Sequence, residues 1–138
     1  KEDTGTVNKP IGRHPQDRKK MAVITTPDQR AREAITHYEV IERFEIPTGR
    51  FTYVKCRLET GRTHQIRVHL SSTGHPLLGD SVYGGGNTKF EANNAKYIHG
   101  QCLHAKELEL IHPRTHEHMH FECELPEDFE FLLKKLRG

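Results

Sequence analysis

At 138 residues the chain has room for one hydrophobic core and not two. Its hydrophobic fraction of 33% is low for that length, as expected of a piece that packs against further sequence. A mean hydropathy of -0.78 with no long apolar run excludes a transmembrane helix, no signal-peptide pattern opens the chain, and a net charge of +2 does not by itself prove a polyanionic partner.

Charge placement says more than the total. Between residues 9 and 20, Lys9, Arg13, Arg18, Lys19 and Lys20 face only Asp17, whereas over residues 107–138 acids outnumber Arg114, Lys134, Lys135 and Arg137. A basic side for a nucleic acid and a solvated acidic back would give this pattern. Residues 1–20 read as loop or peripheral strand broken by Gly5, Pro10, Gly12 and Pro15. Their basic run suits RNA contact, and serves equally as a solvated loop.

Met21 to Thr25 is a short strand stopping before Pro27, and Asp28 to Glu33 a connection. Ala34 to Ile46 and Arg50 to Glu59 predict a hairpin, with Thr36, Tyr38 and Val40 alternating with other residues and Pro47-Thr48-Gly49 as the turn. Gly61 breaks the second strand. A helix over about 63–73 follows, capped by Thr63 and stopped by Gly74 and Pro76. Ile66 and Leu70 share one side of it and Val68 the other, so it is expected to be buried. Yet it carries Arg62, His64, Gln65, Arg67 and His69 at or near its start. Arg67 lies close to the apolar stripe. A guanidinium cannot shed its charge, so either its head snorkels to water or it meets a carboxylate, a phosphate or several carbonyls. Asp80, in Leu78-Gly79-Asp80-Ser81, reads as a turn residue bonding its own backbone.

Gly84, Gly85 and Gly86 open a polar run to Gly100 that reads as a surface loop, without the Gly-Lys-Ser/Thr of a phosphate cradle. Cys102 to Ile111 and Glu117 to Leu125 read as two strands. In the second, His116, His118, His120 and Glu122 share a face; this pattern permits a zinc-dependent hydrolase, but a histidine-rich solvent face explains it better. No metal is expected. Pro126 to Arg137 is a closing helix with a Phe129, Leu132, Leu133 and Leu136 stripe and dipole-matched ends. Cys56, Cys102 and Cys123 are odd in number and scattered, which favours reduced thiols in a cytoplasmic protein.

Glu59-Thr60-Gly61-Arg62-Thr63-His64-Gln65-Ile66-Arg67-Val68-His69, followed by Gly74-His75-Pro76-Leu77-Leu78-Gly79-Asp80-Ser81-Val82-Tyr83-Gly84, resembles the signature of the RNA pseudouridine synthases of the ribosomal large-subunit type. Arg13-His14-Pro15 through Val23, Ala34 through Val40, and Leu103-His104-Ala105 through His112-Pro113 fit in order, so the resemblance runs from about Gly5 to about Leu133. The family's catalytic aspartate, in a His-Arg-Leu-Asp type segment, has no counterpart here. The chain, opening at Lys1 without methionine, is therefore expected to be the C-terminal portion of a single catalytic domain over residues 1–138, inactive alone.

The resemblance implies isomerisation of uridine to pseudouridine in RNA, ribosomal RNA in particular, without metal or organic cofactor. It implies that Arg67 partners the absent aspartate, that Arg62, His64 and Gln65 face RNA, and that Leu103 lines the uracil pocket. Arg13, Arg18, Lys19 and Lys20 would add phosphate contacts, and the upstream half of the domain would be the protein partner, with no membrane involved. A non-catalytic RNA-binding module is the alternative. The expected fold is α+β: a mostly antiparallel, mixed β-sheet with a buried central helix at about 63–73 and a C-terminal helix at about 126–137.

Overall fold

The computed structural model describes residues 3–17, 19–25, 31–85, 88–103, 107–111, 118–122 and 125–137. Its organising element is the hairpin of β4 (Ile35–Ile46) and β5 (Gly49–Leu58), closed by the two residues Pro47 and Thr48. Strand β1 (Thr4–Asn8) adds to the free edge of β4, giving a three-stranded sheet in the order β1-β4-β5. The first twenty residues thus contain a true sheet strand. Two smaller antiparallel pairs are formed by β2 (Ile11–Arg13) with β3 (Met21–Val23), and by β6 (Glu107–Ile111) with β7 (His118–Glu122). Every strand pairing among the described residues is antiparallel, so the expected parallel component is not seen there.

A β-bulge at Ile41 divides the long hairpin. Before it Val40 pairs with Val54; beyond it Phe44 pairs with Phe51, where an unbroken register would have met Arg50. The shift brings aromatic residues together for the main core. Helix α3 (Glu127–Arg137) lays Leu132, Leu133 and Leu136 against Phe44 and Phe90, with Ile46, Phe51, Tyr53 and Phe129 packed around them. Each fully buried leucine contributes about 1.5–3 kcal/mol, which makes α3 the main closure of this half. The second core is smaller and holds the site: Ile11, Ala34, Val68 and Tyr83, flanked by Met21 and Val23.

Helix α1 (Gln65–Ser72) carries Val68 into this second core. It ends where expected, in a Schellman motif: Gly74 N–H donates to the Ser71 carbonyl and His75 N–H to the Leu70 carbonyl, with Gly74 at φ 84°. Its start differs. Thr63 does not cap it; His64 occupies the N-cap in the left-handed region at φ 54° and makes no side-chain cap bond.

Residues 88–97 are also more ordered than their composition suggests. Thr88 and Glu91 form a reciprocal capping box that starts α2 (Lys89–Asn93), and a 3-10 turn follows over Ala95–Tyr97. No helix of the structure, among the described residues, is long and apolar enough to cross a membrane.

Candidate functional site

The expected apolar burial of α1 is only part of the answer. Ile66 and Leu70 are half-buried, while Gln65, Arg67, Val68 and His69 point inward. Three of those four are polar, and each is met by a partner from a different segment.

Gln65 is 3% exposed and its amide is fully committed. Oε1 accepts from the Thr60 hydroxyl at 2.7 Å and from Arg62 N–H at 2.9 Å; Nε2 donates to the Ile35 carbonyl and to Thr36 Oγ1, both at 3.0 Å. This residue cannot face RNA as expected. It ties the turn before α1 to the start of β4. The left-handed His64, which costs about 1–2 kcal/mol, is held in place by that tie.

His69 is wholly buried. Its Nε2 lies 2.9 Å from the Lys9 carbonyl, which only accepts, so Nε2 bears the proton and Nδ1 accepts from the Thr36 hydroxyl at 2.8 Å. Gln65, Thr36, His69 and Lys9 thus form one directed chain of donors. Burial pushes the His69 imidazole below its ordinary range; the bond to Lys9 opposes this, and the Lys9 charge adds to it.

Arg67 is clamped along one edge. Nε donates to Asp80 Oδ2 at 2.8 Å and Nη2 to Oδ1 at 3.0 Å, with the Arg67 side chain 10% exposed and that of Asp80 1%. The carboxylate placed against Arg67 is therefore one of this chain's own. Asp80 does have the turn role read from its sequence, since Oδ1 also accepts from Val82 N–H and Tyr83 N–H, both at 3.3 Å. The ion pair is made by a loop folding back after α1. The Tyr83 ring covers the guanidinium, 4.9 Å from Arg67 Cζ. The remaining N–H groups of Arg67, those of Nη1 above all, have no acceptor among the described residues.

His64 and Arg62 are both exposed. Arg62 Nε donates to the Glu33 carbonyl at 2.7 Å, and His64 Nδ1 lies 2.8 Å from the Tyr83 hydroxyl. The Tyr83 hydroxyl also accepts from Met21 N–H at 3.0 Å, so it joins α1 to the β2–β3 hairpin. That hairpin carries the basic run. Arg13 and Lys19 are exposed and Lys20 half-buried, on a loop ordered by His14 Nδ1, which accepts from Gln16 N–H and Asp17 N–H, and by Asp17, which caps Lys19 N–H. Arg18 lies outside the described residues, as do His116 and the side chains of His118 and His120. Leu103 is described and 44% exposed.

A family model for RNA pseudouridylate synthase matches residues 1–72, from before β1 to the last residue of α1. The chain belongs to this family. Among curated relatives it is 45% identical, over 139 residues, to the ribosomal large subunit pseudouridine synthase D of Pseudomonas aeruginosa, covering 96% of this chain and 41% of that protein. It is 48% identical, over 135 residues, to an uncharacterized RNA pseudouridine synthase of Bacillus subtilis, covering 98% of this chain and 40% of that one. The chain thus spans about two fifths of the length of these relatives. Human RNA pseudouridylate synthase domain containing 1 shares the fold, with a TM-score of 0.70 at 24% identity over 99% of this chain and 60% of that one.

Within the family signature, sequence reasoning singled out Arg67 and His64 but not Asp80 and Tyr83 as their partners, nor Thr36 as the partner of Gln65 and His69. A signal was present for Asp80: an acid a short loop after a buried-face arginine is a candidate counter-charge whenever that loop returns to the helix.

Proposed function

We propose that the chain forms the C-terminal portion of a catalytic domain that isomerises uridine to pseudouridine in RNA, with ribosomal RNA as its substrate and the cytoplasm as its place of work. The observation that carries this reading is the half-satisfied guanidinium of Arg67 within the family signature. Asp80 holds its planar fork along one edge, and Nη1, with no acceptor among the described residues, can meet a second carboxylate. The reading gives that place to the aspartate of the upstream segment. A flanking cation keeps such a carboxylate ionised, and one already shared with Asp80 does so more gently than an isolated one. The enzyme must also hold a nucleotide turned out of its stack. Exposed Arg62 and His64 and the basic β2–β3 loop with Arg13, Lys19 and Lys20 supply donors for that, and Leu103 an apolar surface for the base. Within this chain Asp80 is an unsuitable nucleophile, because its oxygens are occupied by Arg67 and two backbone N–H groups. Cys102 is equally unsuitable: burial and the Glu91 charge push its thiol up to about 11.

Tritium release from RNA labelled at uridine C5 tests the proposal. The chain alone should release none. A protein in which it follows the upstream part of the Pseudomonas aeruginosa relative should release tritium and lose that ability on Arg67→Ala. Turnover by the chain alone would contradict the reading. A folded fusion that binds RNA without turnover would favour a non-catalytic RNA-binding module.

A further inference from the structure

Tyr83 links several parts of the site. Its N–H donates to Asp80 Oδ1, its carbonyl accepts from the Ser71 hydroxyl, its ring covers Arg67, and its hydroxyl lies between Met21 N–H and His64 Nδ1. The hydroxyl has one proton to give. Met21 N–H already donates to the phenol oxygen, and the acceptor within reach of the phenol proton is His64 Nδ1. His64 therefore accepts at Nδ1 and bears its own proton on Nε2, for which no acceptor is found among the described residues. The two rings meet edge to face, 5.6 Å between centroids and 80° between planes, which fixes the imidazole's direction as well as its tautomer. His64 is also the one non-glycine residue with positive φ among those described. A backbone held in a rarely used conformation at an exposed polar residue marks a place where direction matters more than local stability.

We propose that Tyr83 is a positioning residue: it sets His64 in the Nε2–H tautomer so that the ring offers a single outward donor, beside Arg67, to an acceptor oxygen of the bound nucleotide. The proposal rests on the RNA-facing reading of the site. Because the hydroxyl also bonds the first residue of β3, the orientation of His64 is linked to the seating of the basic hairpin.

Long-range proton–nitrogen NMR on the full chain reads the tautomer directly. Wild type should show His64 predominantly as the Nε2–H form at neutral pH, and Tyr83→Phe should shift that population toward Nδ1–H while the ring still covers Arg67. Binding of a uridine-bearing RNA hairpin should weaken about tenfold in Tyr83→Phe and in His64→Ala, the scale of one hydrogen bond to a charged group. The double variant should be no weaker than either single one, because both remove the same contact. A predominant Nδ1–H form in wild type, an unchanged population in Tyr83→Phe, or losses that multiply in the double variant would overturn the proposal. If wild type fails to bind the hairpin, the RNA-facing reading fails, and with it the donor's role, whereas the tautomer measurement still decides whether Tyr83 sets His64.

Discussion

Arg67 and Asp80 are nearly sealed from solvent, and each keeps its charge because of the other. The bonds and charge of Asp80 raise the Arg67 pKa against the cost of burial. For Asp80, burial pushes the carboxyl up, but the bonds and charge of Arg67, with the Tyr83 and Val82 N–H groups, outweigh it and leave the carboxyl below its ordinary value. A depressed carboxyl contributes stability that is present above its unfolded value, about 3.9, and lost as pH falls through the folded one. Asp80→Asn should cost about 3–5 kcal/mol in denaturant unfolding at neutral pH, because it leaves a buried guanidinium without its counter-charge. A cost below about 1 kcal/mol would mean that Arg67 reaches water. His69 titrates in the other accessible window. Its folded pKa is lowered, so the unfolded chain takes up the proton first, and stability is full above about 6.5 and declines as pH falls below it. Unfolding measured at pH 7.5 and 5.5 should show that decline in wild type and a smaller one in His69→Leu. Equal slopes would mean that His69 is not the group responsible.

Among the elements, the β4–β5 hairpin and α3 were legible because their information is local: alternation around a Pro-Thr-Gly turn, and a leucine stripe with matched ends. Helix α1 was legible in position but not in its buried face. Gln65 and His69 point inward because Thr36, the Ile35 carbonyl and the Lys9 carbonyl satisfy them, and those partners lie 29 to 60 residues away in sequence. The bulge at Ile41 was not legible either, since an uninterrupted alternation fits the same residues. Helix α2 was missed for another reason. Its Thr88–Glu91 capping box sits in a glycine- and asparagine-rich run whose composition argues for a loop. Glu91 does more than cap: Oε2 also accepts from Gly79 N–H at 2.5 Å, just before Asp80. Gly79 is itself at φ 76°, and a Cβ there would stand 2.2 Å from the Gly100 carbonyl oxygen. Thr88→Ala should therefore cost about 1 kcal/mol, the usual value of a cap, and Glu91→Ala clearly more. Thermal melts of the two variants check this; equal losses would show that the bond to Gly79 adds nothing.

The hydrophobic packing divides into a large core closed by α3 and a small core under α1 that seats the candidate site. The basic hairpin joins the second core through Met21, Val23 and the bond to Tyr83. Phosphate contacts made there should be electrostatic and tolerant of sequence. RNA affinity should fall by at least about tenfold between about 50 and 200 mM salt, with the slope reduced when Lys9, Arg13, Arg18, Lys19 and Lys20 become serine. An affinity flat in salt would remove the electrostatic role of the hairpin.

On the proposed reading, binding and chemistry should separate, because the clamped guanidinium is buried while Arg62, Arg13 and Lys19 are exposed. Single-turnover kinetics beside equilibrium RNA binding, for Arg67→Lys in a protein that supplies the upstream aspartate, tests this most directly. Lysine keeps the charge but lacks the planar fork needed to bond Asp80 along one edge and present N–H groups on the other. The rate should fall at least about a hundredfold, equivalent to about 2.7 kcal/mol of barrier, while RNA affinity changes by less than about threefold. A near-normal rate, or a loss of affinity as large as the loss of rate, would contradict the account.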